Sequence, residues 1–184
     1  AYTFAVPAFS RPLPERELLI EDISNIGRIF GKENQAEKLI SFMREREQWL
    51  YRKTENISTP VRVFSFDAPV GGKAFTCGSS LESHMIHAAG GVNVFGDRPQ
   101  QFVAVDWKEV AHLNPEVILV HRFFDGDDAE QKIEILRRCS EIAETAAMRK
   151  GQIFTLGIKK VFPCVDNIET AIQMSEWFQN CRAF

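Results

Sequence analysis

The chain has 184 residues, 45% of them hydrophobic and 26% charged, which is enough for one well-buried core and short for two. Its formal net charge of −3 and isoelectric point near 5.9 leave no basic stripe of the kind that draws nucleic acid, so DNA and RNA are excluded as partners. No apolar run approaches the roughly 18 to 20 residues that cross a bilayer, and the first residues lack the basic and apolar regions of a signal peptide, so the sequence reads as a soluble chain.

The opening residues, TFAVPAF, alternate β-branched and aromatic side chains and stop at a loop containing Pro7, Pro12 and Pro14. They read as the tail of a strand. From Glu15 to Phe30 the spacing of Leu19, Ile23, Ile26 and Phe30 is helical, and Gly31 provides a stop. A second helix is predicted from Glu33 to about Lys53, with Ala36, Leu39, Ile40, Met43 and Leu50 as its apolar stripe. Its length is about 30 Å at 1.5 Å per residue. After a turn at Asn56 to Pro60, Val61 to Phe66 reads as a strand.

The most informative stretch is FTCGSSLESHMIHAAGGVNVFGD, Phe75 to Asp97. Gly78, Ser79 and Ser80 can cap a helix starting near Leu81, since a serine hydroxyl accepts from the free N–H groups of a first turn. Gly90 and Gly91 end that helix, because glycine enters the left-handed conformation without steric cost. Leu81, Met85 and Ala88/Ala89 mark its predicted buried stripe. Further on, Asp106 caps a short helix through Leu113, Asn114-Pro115 ends it, and Val117 to Val120 forms a continuous apolar strand suited to a sheet covered on both faces. The loop Arg122 to Asp128 leads into a helix from Ala129 to about Ser140, and a short helix reaches Met148. A strand over Ile153 to Leu156 and a closing helix from about Asp166 to Cys181 complete the pattern. Strands alternating with helices predict a parallel sheet. Cys77, Cys139, Cys164 and Cys181 form no CxxC pair, and Cys139 and Cys181, placed in helical segments, read as small buried apolar residues.

Five of these segments, IGRIFGKENQAEKLI, VRVFSF, FTCGSSLESHMIHAAGGVNVFGD, VDWKEVAHLNPEVILV and RKGQIFTL, follow one another in an order and spacing that resembles the substrate-binding proteins of ATP-driven (ABC) importers for iron siderophores, haem and vitamin B12. The resemblance runs from about Leu18 to the end of the chain. It implies a Rossmann-like lobe with a parallel sheet covered by helices, preceded by a long interdomain helix, and hence the C-terminal half of a two-lobed protein. On this pattern residues 1–14 are the tail of an N-terminal lobe and a linker, 15–57 are connecting helices and 58–184 are the substrate-binding lobe. The family's location is extracytoplasmic, in the periplasm or on a membrane-anchored lipoprotein.

Ligands of α/β sheets gather at the carboxyl ends of the strands, and the loops there are Asp67 to Ser80, Arg122 to Asp128 and Gly157 to Cys164. Their aromatic and cationic residues suit a large, partly apolar metal chelate carrying carboxylate or phenolate oxygens. The candidate ligand contacts are Phe75, Thr76, Arg122, Phe123, Phe124, Lys159 and Phe162. The competing reading places most of the phenylalanines in the core and the cations in solvent. In many relatives an exposed glutamate at the start of the helix before Asn-Pro docks to permease arginines. That position is Lys108 here, with Glu109 one residue later, so either Glu109 substitutes or the lobe docks differently.

His84 and His87 share a helix face, but no third ligand stands at suitable spacing, so no metal site is assigned. CGSSL is not a GxSxG elbow, and VGGKAF and AAGGVNVFG lack the glycine spacing of a phosphate-binding fingerprint. The reading is therefore a binding protein and not an enzyme, with no cofactor of its own, a metal-chelate ligand and an ABC permease as partner. The alternative is an isolated half that acts as a homodimerising interaction module.

Overall fold

The structure, a computed structural model, describes residues 15–123 and 128–182. Two helices come first, α1 (Glu15–Ile29) and α2 (Glu33–Thr54). They cross closely at Gly27, where an added Cβ would come within 2.6 Å of the Ala36 side chain. Gly31, at φ 61°, makes the reversal between them, a conformation that glycine adopts without strain. α2 buries Met43 and Leu50 and is fastened to the body of the lobe by Arg46, whose guanidinium donates to both Glu169 carboxylate oxygens at 2.6 and 2.8 Å.

Strand β1 (Val61–Phe66) is followed by a hairpin of β2 (Ala68–Val70) and β3 (Lys73–Cys77). Gly71 and Gly72, both at positive φ, form its two-residue turn, the connection whose twist matches a β-hairpin. Helix α3 (Leu81–Ala88), short strands β4 (Gly91–Asn93) and β5 (Phe102–Val105), and helix α4 (Trp107–Leu113) come next. β6 (Val117–Arg122), α5 (Asp128–Arg138), a 3₁₀ turn at Ser140–Ile142, α6 (Ala146–Lys150), β7 (Ile153–Gly157), a 3₁₀ turn at Ile158–Val161 and α7 (Asn167–Arg182) finish the order.

The strands form a four-stranded parallel sheet in the order β4-β1-β6-β7 and a three-stranded antiparallel sheet in the order β2-β3-β5. The parallel sheet flanked by helices is the architecture predicted from the alternating pattern. Side chains alternate across it, so each strand feeds two cores. Val61, Val63, Val117 and Leu119 pack with Leu50, Ile86, Ala171, Ile172 and Phe178 on the side of α2, α3 and α7. Phe64, Phe66, Ile118 and Val120 pack with Phe95, Val110, Leu136 and Ile142 on the other.

Several expectations change. Strands β2, β4 and β5 were not anticipated, and Lys73, Phe75 and Thr76 lie on strand β3 where the sequence reading had a loop. Asp106 sits at the N-terminal boundary of α4 but makes no capping bond, because its carboxylate is turned to Lys73 at 3.3 Å. Cys139 lies just beyond α5, which stops at Arg138, and both it and Cys181 on α7 are half-buried rather than buried. The predicted strand at TFAVPAF falls outside the described residues.

Candidate functional site

The hairpin β2–β3 continues directly from the carboxyl end of β1 and is tied back to it by a bond from the Asp67 amide to the Phe75 carbonyl at 2.9 Å. β3 then delivers the chain to α3, whose first turn is capped as predicted: the Ser80 hydroxyl accepts from the Ser83 amide at 3.3 Å. Gly78 is required here, because an added Cβ would stand 2.3 Å from the Gln100 carbonyl oxygen. The carboxyl ends of β1, β6 and β7 and the start of α3 therefore share one edge.

Along that edge lies a row of aromatic side chains. Phe75 stacks on Phe102, with ring centroids 5.9 Å apart and planes 16° from parallel. Phe102 is 39% exposed and Phe162 46% exposed, and both line a cavity of about 40 Å³ together with Leu81 and Gln101. Beside the row, Arg122 at the end of β6 pairs in register with Gly157 at the end of β7, two residues before the exposed Lys159. Phe123 is partly exposed and carries the Lys132 ammonium 4.2 Å over its ring. The structure thus gathers Phe75, Arg122, Phe123, Lys159 and Phe162 on one edge and adds Phe102. Thr76 does not join them, because alternation along β3 turns its side chain into the interior, where its hydroxyl is buried without a protein partner. Phe124 lies outside the described residues. On α4, Lys108 is exposed, while Glu109 is half-buried and paired with Arg98.

Beneath the edge is a cluster that the sequence reading missed. Ser65 continues the apolar row Val61, Val63 on β1, and His121 continues Val117, Leu119 on β6. Both face α3, and α3 meets them with Glu82, which occupies the core-facing position with Met85, Ile86 and Ala89. Ala88, placed in the buried stripe by the sequence, is exposed, because the helix is rotated to bring Glu82 to its partners. His121 Nδ1 lies 2.8 Å from Asp67 Oδ1 and its Nε2 lies 3.0 Å from Glu82 Oε1. The Ser65 hydroxyl donates to the same Glu82 oxygen at 2.5 Å. The signal was available in principle, since Glu82, Met85, Ile86 and Ala89 have helical spacing and His121 has the strand's period of two.

A neutral imidazole has one N–H, and its other nitrogen would turn a lone pair on a carboxylate. Two carboxylates at hydrogen-bond distance therefore hold His121 as an imidazolium. Burial acts first and pulls its pKa down, but the Glu82 charge and the hydrogen bonds that the ring donates to Asp67 and Glu82 outweigh it, and the value is raised to about 10. For Glu82 burial pushes upward, yet the His121 charge and the bonds from His121 and Ser65 bring the carboxyl below its usual range. Cys77, next to this cluster, has its thiol pushed well up by burial and by the Glu82 charge, which makes it an inert thiol. With both ring nitrogens occupied, His121 has no lone pair for a metal. Among the described residues no group of three or more His, Cys, Asp or Glu is arranged to hold one.

A parallel α/β sheet flanked by helices, with exposed loops gathered at its carboxyl edge, is the class of fold this arrangement defines. The chain belongs to the periplasmic binding protein family, whose model matches residues 4–159. A sequence comparison with the curated proteins gives no match. Among solved structures it is similar to a periplasmic binding protein from Veillonella parvula, with 21% identity and a TM-score of 0.79 over 89% of this chain and 57% of that one. It is also similar to the periplasmic haem-binding protein RhuT of Roseiflexus sp. RS-1, at 19% identity and a TM-score of 0.76 over 88% of this chain and 62% of RhuT. A third structure, from an Fe3+-hydroxamate transport system of Saccharomonospora viridis, shares 19% identity and a TM-score of 0.75 over 88% of this chain and 55% of that one. The chain thus spans somewhat more than half the length of these proteins. The family and RhuT are binding proteins rather than enzymes. No helix among the described residues is long and apolar enough to cross a membrane.

Proposed function

We propose that this chain forms the C-terminal lobe of an ABC-importer substrate-binding protein, which captures a metal chelate such as a siderophore, haem or corrinoid and hands it to a membrane permease. The observation that carries the reading is the aromatic row Phe75, Phe102 and Phe162 beside the cations Arg122 and Lys159 on one sheet edge. Such a wall offers apolar faces for the body of a chelate and charge for its peripheral oxygens. In this reading residues 58–184 are the binding lobe, 15–57 the connecting helices and 1–14 the end of an N-terminal lobe. Docking to the permease involves Lys108 and Glu109, with the Arg98 partner of Glu109 part of that surface. The location is outside the cytoplasm, free or lipid-anchored.

Absorbance titration with hemin, a ferric hydroxamate and cyanocobalamin tests the proposal. It predicts a saturable spectral change with one of the three that weakens in Phe162→Ala. Absence of binding to all three overturns it.

A second reading, self-association, is favoured by exposed apolar side chains on and between the two helices, where Ile29, Phe30 and Phe42 are 57%, 71% and 51% exposed. Sedimentation at several concentrations separates the two, since a monomer throughout removes the second.

A further inference from the structure

The charged cluster under the sheet edge extends towards its surface. Lys132, on α5, is buried, and its ammonium donates to the backbone carbonyl of His121 at 2.5 Å while lying 4.2 Å over the ring of Phe123. His121 is held from both sides, by Asp67 after β1 and by Glu82 on α3. Two acids and two bases are thereby sequestered together, and each cation is placed against a group that fixes it. A lysine head draws a phenylalanine face most strongly where water is excluded, and a charge-assisted bond to a carbonyl fixes where that head sits.

We propose that the bridge Asp67–His121–Glu82 is a positioning device for ligand capture: it fixes the carboxyl end of β6, and through the His121 carbonyl and Lys132 it sets the pose of Phe123 on the ligand-facing edge. The inference rests on the reading of that edge as the ligand wall. Asp67 and His121 are buried behind the edge, and Glu82 reaches only the floor of the small cavity beside Phe102 and Phe162. They act through Phe123, and Arg122 between His121 and Phe123 is held by the same anchoring of the strand end. A wall built this way is ordered before the ligand arrives, so less ordering cost is subtracted from binding. The separation of Asp67 and Glu82 from His121 by 54 and 39 positions means that the three segments framing the edge, after β1, at the start of α3 and at the end of β6, are locked to one another by a single ring.

Lys132→Met tests the device, because it keeps the apolar stem and removes the ammonium, and Lys132→Arg restores a cation at the same place. Two readouts are taken at a temperature well below the melting point of every variant. One is the affinity for whichever of hemin, a ferric hydroxamate or cyanocobalamin the unmodified chain binds. The other is amide hydrogen exchange at Arg122 and Phe123 without ligand. Lys132→Met should weaken binding by about three- to tenfold, in the range of indirect couplings between residues, and speed exchange at those two amides, with Lys132→Arg recovering part of both. Unchanged exchange in folded Lys132→Met overturns the inference. Faster exchange with unchanged affinity overturns the link to capture. If the unmodified chain binds none of the three probes, the functional reading of the edge fails, and exchange alone decides whether Lys132 orders the strand end.

Discussion

Two buried regions of the lobe lie within one sheet of each other and are built on opposite principles. Around Val63, Leu119 and Phe178 the interior is built from aliphatic and aromatic side chains and contains no ion pair among the described residues. At the carboxyl end of the same two strands, one alternation further on, Ser65 and His121 take the place of aliphatic side chains and meet Glu82 and Asp67. Apolar burial stabilises in proportion to area and is tolerant of which neighbour supplies it. A buried ion cluster gains little net free energy after desolvation, yet each member demands its partner in place. The first region holds the lobe together, and the second ties three segments to one another at the carboxyl edge of the sheet.

The comparison can be broken most severely from the apolar side. Phe178 is fully buried, and its ring would stand 2.8 Å from a Cβ added at Gly91. Phe178→Ala should lower the unfolding free energy in urea by about 3 to 5 kcal/mol, with affinity for a bound probe retained once the variant is folded. Glu82→Gln removes one of the two charges facing the imidazolium and should cost about 3 kcal/mol, and unlike Phe178→Ala it should also weaken probe binding.

Titration sharpens the contrast next, since the apolar region has no pH response of its own. Among the described residues, the ionisable groups against the His121 ring are Asp67 and Glu82, with Cys77 beside Glu82 and Lys132 on the His121 carbonyl. The His121 pKa is raised from 6.5 to about 10 on folding, so its stabilising contribution is complete below pH 6.5 and is lost as pH rises through about 10. Glu82 is shifted down from 4.5, so its contribution is present above pH 4.5 and is lost as pH falls through its folded value. Unfolding free energy measured from pH 6 to 10 should decline steadily, and His121→Gln should flatten that decline. The smallest effect is local. Ser80→Ala removes the cap of α3 and should cost about 1 kcal/mol, read in the same urea titration.

The same division decided what could be read in the sequence. Helices α1, α2 and α7 declare themselves by periodicity, β1 and β6 by apolar runs, and the cap and stop of α3 by Ser80 and Gly90, because each signal is local. Strands β2, β4 and β5 were hidden, since three or four residues carry no usable period and are ordered only by pairing. Arg122, Phe123, Lys159 and Phe162 could be placed on the carboxyl edge from the sequence because each lies at or shortly after the end of a strand that announces itself locally. Thr76 was misplaced by reading β3 as loop, and Phe102 was missed with its strand. Glu82 and His121 were passed over for a different reason. A glutamate at a helix start has an ordinary explanation in solvent or the helix dipole, and only a partner 39 positions away makes it a core residue.

The protonation state of His121 tests the distinction between the two regions most directly. Nitrogen-15 NMR of its imidazole at pH 8 should show both Nδ1 and Nε2 carrying protons, with deprotonation only towards pH 10. A neutral ring with one protonated nitrogen at pH 8 would contradict the charged bridge and the positioning role built on it.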